Sequence, residues 1–176
     1  MKIKEAVEEI TKIEAGTDAK TLTTIVSILT VLNKLNLKLE KAHFKDLYSK
    51  RSPEEIIESG FATGCTDQAI LLVELAQRLG VKDTYFVETL HRKWIESPAL
   101  QDEAVYGHVF VFVGPYLVDP SRAIIYVDDK FILQDWVFVG KKRKLAEFGF
   151  NNADTLVAGC RKFKEDYKKS KNYTPL

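Results

Sequence analysis

At 176 residues, 45% of them hydrophobic and 29% charged, the chain is long enough for one self-sufficient core and lacks the composition of a disordered or low-complexity protein. A formal net charge of +1 gives no reason to expect nucleic acid or a membrane surface as partner. Two cysteines, Cys65 and Cys160, with no CxxC and no Cys/His pair at zinc spacing, exclude a disulfide framework and imply neither a metal nor a cofactor.

In chain order, MKIKEAVEEITKIEAG is dense in charge and lacks the apolar stretch of a secretory signal, so a cytoplasmic setting is expected. Residues 4–14 and 19–37 have helical periodicity, with Thr17 and Asp18 placed to cap the second segment. That segment includes TLTTIVSILTVLNKLNL, whose Thr, Ser, Asn and Lys side chains and length below ~18 residues argue for a buried helix over a membrane span. Ser52 and Pro53 open a short helix, PEEIIES, because serine caps, proline suits the first helical position and early carboxylates favour the positive helix end. From Cys65 onward Ala69, Leu72, Ala76 and Leu79 recur at helical spacing, and Gly80 closes the run.

After Gly80 the period changes. TYFVETL, HVFVFV, YLVD, AIIYV and FILQDWVFV are short, β-branched or aromatic, and separated by Gly, Pro or Asp-Asp turns, which predicts an antiparallel sheet. A polar connection from Arg92 to Tyr106 is expected to rim a cleft, and the chain closes with one or two helices, the last over roughly 153–169. Helices first and strands afterwards indicate a single α+β domain: N-terminal helices over 1–50, a core over 52–140, and basic C-terminal helices over 141–176. From Lys141 onward ten Lys/Arg face four Asp/Glu, which reads as a solvated face; nucleic acid is not expected there, since no aromatic interleaving accompanies the charge.

Chemistry concentrates at the helix–sheet junction. A thiol in the first turn of a helix faces unpaired N–H groups and a partial positive charge, both of which favour the thiolate. Of His43, His91 and His108, the last opens GHVFVFVGPYLVDPS, in which two apolar strands flank Gly114-Pro115. A two-residue turn there sets Phe110 opposite Asp119 and His108 opposite Ser121, so His108 and Asp119 share one face as diagonal neighbours within the ~7–8 Å of such pairs. A three-residue turn would put the acid on the other face. A thiol at a helix start, a base opening a strand and an acid on the returning strand are the parts that thiol activation requires.

These residues carry a resemblance. GCTDQAILLVELAQRLGV, GHVFVFV and LVDPS, in the order Cys, His, Asp with gaps of 43 and 11, resemble the transglutaminase-like superfamily of the papain-like cysteine fold over roughly residues 52–127. The resemblance implies a nucleophile helix packed on an antiparallel sheet, with Cys65 as nucleophile, His108 as base and Asp119 as orienter, acting on a peptide or protein amide by acyl transfer. Papain-like enzymes often place a Gln, Asn or Trp oxyanion donor shortly before the cysteine, whereas residues 37–64 contain none. The Cys65 N–H is one donor; Thr63 and Trp94 are the residues considered for the second. Losing such a donor costs about 2.7 to 4 kcal/mol of transition-state stabilisation. The alternative expectation is therefore a catalytically weak domain that binds a peptide or protein.

Overall fold

The computed structural model describes residues 18–97, 105–126 and 129–170. The helix expected over 4–14 lies outside them. The first described helix, α1 (Ala19–Leu35), begins where Asp18 accepts a hydrogen bond from the Thr21 N–H and ends at left-handed Asn36. Leu37, expected to be helical, lies beyond that cap. Strand β1 (Lys38–Leu39) leads through a 3-10 turn into α2 (Phe44–Leu47) and then α3 (Pro53–Ser59), where Ser52 and Glu55 form the reciprocal capping box. Strand β2 (Phe61–Ala62) pairs in parallel with β1 and delivers the chain to α4 (Cys65–Arg78). Gly80, with φ +89°, turns the chain out of that helix, and the Val81 N–H bonds back to the Ala76 carbonyl.

The sheet follows. It comprises β3 (Thr84–His91), β4 (Gly107–Val113), β5 (Tyr116–Asp119), β6 (Ile124–Tyr126) and β7 (Trp136–Lys142), in the order β6-β5-β4-β3-β7 with every pair antiparallel. Strand alternation divides its side chains between two faces. Phe86, Val109, Val111, Val113, Tyr116 and Val118 pack under Ile25, Ile28 and Leu29 of α1 and Ala69, Leu72, Val73 and Ala76 of α4. Val87, Phe110 and Leu117 point the other way and meet Ile132 and Trp136. The expected helix-on-sheet α+β arrangement is thus present, and among the described residues no helix is long and apolar enough to cross a membrane.

Three expected elements differ. FILQ was expected to belong to a strand, but Asp129–Gln134 is 3-10 helix and the strand begins at Trp136; Ile132 is tucked onto the Phe110–Trp136 cluster, an apolar contact that outweighs the β propensity of the run. The connection after Arg92 opens with a short helix, α5 (Arg92–Glu96), capped by the His91 side chain accepting from the Lys93 N–H. Basic residues at the start of the 141–176 segment belong partly to β7, not to a helix. The last helix, α6 (Ala153–Lys169), lies over the corner of the sheet where Leu90 meets Trp94, Ile95 and Cys160. At Gly159 a Cβ would stand 2.2 Å from Phe150, so only glycine lets α6 rest on that ring.

Candidate active site

The turn before α4 is held by one buried carboxylate. Asp67 Oδ2 accepts from the Thr63 N–H at 2.6 Å, from the Thr63 hydroxyl at 2.8 Å and from Arg51 Nη2 at 2.5 Å, with the Arg51 and Asp67 side chains almost wholly buried. A carboxylate in the first helical turn also suits the positive end of the helix dipole. The consequence is a fixed entry to Cys65. No side chain caps the helix at Gly64, which leaves the first-turn N–H groups of α4 without a side-chain acceptor. Gly64 itself is extended, and a Cβ there would make only ordinary contact with Phe44.

His108 is the second residue of β4, and its carbonyl accepts from the Thr89 hydroxyl at 2.8 Å across the sheet. The β4–β5 turn has the two-residue length required: Val113 pairs with Tyr116, Phe112 with Leu117 and Val111 with Val118, with Gly114 at φ +57°. Extending that register puts Asp119 on the His108 face, and their side chains meet with His108 Nε2 2.9 Å from Asp119 Oδ2. The approach is not straight enough for an ideal hydrogen bond. Asp119 is fully buried, its other oxygen accepts from the Ser121 N–H at 3.0 Å, and Arg122 Nε stands 3.8 Å from Oδ2.

The Cys65 thiol lies close enough to the same imidazole to act on its charge. With Nε2 turned to the carboxylate, Nδ1 is the nitrogen left for sulfur. Burial by itself pulls the imidazolium down; the contacts with Asp119 and with Cys65 outweigh it and push His108 up to about 9. An imidazole so placed is favoured as a cation beside the Asp119 carboxylate. The structure therefore brings Cys65, His108 and Asp119 together.

It does not bring Thr63 or Trp94 into the same role. Both donors of Thr63 are committed to Asp67, and Thr63 is buried. Trp94 is 3% exposed, packs with Leu90, Ile95 and Cys160, and lies under the Lys164 ammonium at 4.5 Å. These geometries make Thr63 a fastener of the turn and Trp94 a core residue beneath α6. Of the cleft expected over the Arg92–Tyr106 connection, residues 98–104 lie outside the described residues.

Several neighbours of the site were not singled out from sequence. Trp136 pairs with His91 across β3 and β7, and its ring lies 5.4 Å from His108, 5.1 Å from His91 and 5.7 Å from Tyr106. Phe110 closes on His108 at 4.7 Å, edge to face. Together these rings pin the imidazole and shield it from water on one side. Glu88, buried on the helix-facing side of β3, is pushed up to about 8 by burial, with His108 pulling it the other way. Alternation in TYFVETL could have found it, since Glu88 falls between Phe86 and Leu90 on the core parity. Tyr48 is also buried; burial first, then Glu88 and Cys65, raise its hydroxyl above the usual phenol range.

Compared with family models, with curated proteins and with solved structures, the chain matches none.

Proposed function

We propose that the protein is a cysteine-nucleophile acyl-transfer enzyme acting on an amide of a peptide or protein, with a transglutaminase-like core. One observation carries this reading: a single imidazole, that of His108, is held between the thiol at the start of α4 and a fully buried carboxylate 2.9 Å away. In the reaction so proposed, His108 takes the Cys65 proton and the thiolate attacks the amide carbonyl. The tetrahedral oxyanion forms beside the uncapped N-terminus of α4, where the Cys65 N–H is a donor. His108 then gives its proton to the departing nitrogen, the C–N bond breaks and a thioester remains. Water or a second amine, deprotonated by His108, attacks the thioester and releases Cys65. Asp119 holds the ring in the required tautomer and stabilises the imidazolium at both stages.

Intact-mass spectrometry after mixing the protein with short peptide amides tests this reading. Acyl transfer predicts a transient adduct of the peptide's acyl mass on Cys65, with loss of ammonia or an amine, and none in Cys65→Ser. Absence of any adduct or turnover across glutamine- and backbone-amide peptides, with Cys65 still reactive towards alkylating agents, would favour the second reading, a peptide-binding domain with weak catalysis. That alternative is supported by one feature: Thr63 and Trp94 are both engaged elsewhere, leaving the Cys65 N–H without either expected companion donor.

A further inference from the structure

Beside the site lies a groove of about 250 Å³ between the C-terminal turns of α1, the first turns of α4 and the chain that follows Asp119. Its floor is apolar: Leu29 and Leu71 are buried, and Pro120 closes the end. Its rim is polar, with the carboxamides of Asn33 and Gln68 and the half-exposed guanidinium of Arg122. Two of these residues tie it to the proposed chemistry. Gln68 follows Cys65 by three positions on α4, about 4.5 Å along the helix axis on the same side. Pro120 adjoins Asp119 in the chain. Since an extended peptide advances about 3.3 Å per residue, the groove is within reach of a side chain one or two residues from the amide under attack.

We propose that this groove is the specificity subsite for the peptide flanking that amide, and that it takes an aliphatic residue accompanied by an acidic one. The leucine and proline floor favours an aliphatic side chain, whose burial returns water to bulk. Carboxamides both donate and accept, which matches the alternating groups of a peptide backbone. Arg122 is the cation on the rim. Its Nε is 3.8 Å from Asp119 Oδ2, too far for a hydrogen bond, so a substrate carboxylate would take up donors that Asp119 does not use.

The inference rests on the acyl-transfer reading, and the test separates the two. Fluorescent peptide amides are titrated into full-length Cys65→Ala, which binds without turning over. The aliphatic–acidic peptide should bind about tenfold or more tighter than one with serine in place of its leucine. It should also bind about two- to fivefold tighter than one with lysine in place of its glutamate. Arg122→Glu should reverse the acid-over-base preference, and Asn33→Trp, which crowds the rim from an exposed position without adding charge, should weaken every peptide. If binding ignores the leucine, or the charge preference survives Arg122→Glu, the groove is not the subsite. Alkylation of Cys65 in the unsubstituted protein reports on the nucleophile alone, so an inert Cys65 would sink the acyl-transfer reading irrespective of what the groove binds.

Discussion

The two cysteines of this chain occupy opposite kinds of environment. Cys65 is partly exposed at the first residue of a helix, with an imidazole beside it that is itself held by a carboxylate. Cys160 is fully buried in the middle of α6 among Leu90, Trp94 and Ile95, and burial, with Glu88 adding to it, pushes its thiol up to about 12. A thiolate at Cys160 would be cut off from water and would face the Glu88 charge, so that sulfur acts as a small apolar side chain. What separates the residues is the availability of partners for the negative charge.

The largest effect should come from removing the nucleophile. Cys65→Ser should lower acyl transfer by about 10³-fold or more, measured as product release per folded molecule, whereas Cys160→Ser should leave that rate within about twofold. Comparable losses in both would erase the contrast. Removing the base should come next: His108→Ala should cost about 10²–10⁴-fold in turnover, and Asp119→Asn a loss in the same range, with the fold retained by circular dichroism. Because the departing nitrogen needs the proton that His108 holds up to about 9, turnover should fall as pH rises through that value, while alkylation of Cys65 should not. A turnover profile that is flat through pH 9 would remove His108 as the acid.

The Cys160 corner should respond in stability instead. Trp94→Ala empties a site packed by Leu90, Ile95 and Cys160, and about 3–5 kcal/mol should be lost in urea unfolding with unchanged turnover per folded molecule. Reduced turnover at full stability would return Trp94 to the cleft.

The smallest effect joins the two regions through Glu88, which is coupled electrostatically to both His108 and Cys160. Its folded-state value, near 8, lies above its ordinary one, so the stability it contributes is present below about 4.5 and is lost as pH rises through 8. His108, raised from 6.5 to about 9, acts in the same direction over a higher window, its contribution being lost as pH rises through 9. Glu88→Gln should therefore flatten the decline of stability between about pH 4.5 and 6.5, make it shallower from there to 8, and leave in place the His108 part that runs to 9. An unchanged slope in the lower window would mean that Glu88 ionises normally.

The legible parts of this site are local ones. The helix start at Cys65 is written in a glycine followed by apolar positions at helical spacing, and the His108–Asp119 register follows from the two-residue Gly114-Pro115 turn. The less legible parts depend on distant pairings. Trp136 reaches His108 because β7 pairs with β3, a partnership that no turn chemistry announces. Trp94 was expected at a cleft because its neighbours in the chain are polar, yet α6, far along the sequence, covers it. The hydroxyl and N–H of Thr63 looked available until the fold brought Asp67 and Arg51 onto the same point. FILQ has strand propensity, and a tertiary contact of Ile132 outweighs it.

The proposed chemistry requires Cys65 to be an activated thiol with His108 as its partner. Competitive alkylation by iodoacetamide, followed site by site with mass spectrometry from pH 5 to 10, measures this directly, with Cys160 as the internal reference. Cys65 should be labelled far faster than Cys160, most clearly at the acidic end of the range, and His108→Ala should remove that low-pH reactivity. Slow labelling of both cysteines, or a Cys65 profile unchanged in His108→Ala, would contradict it.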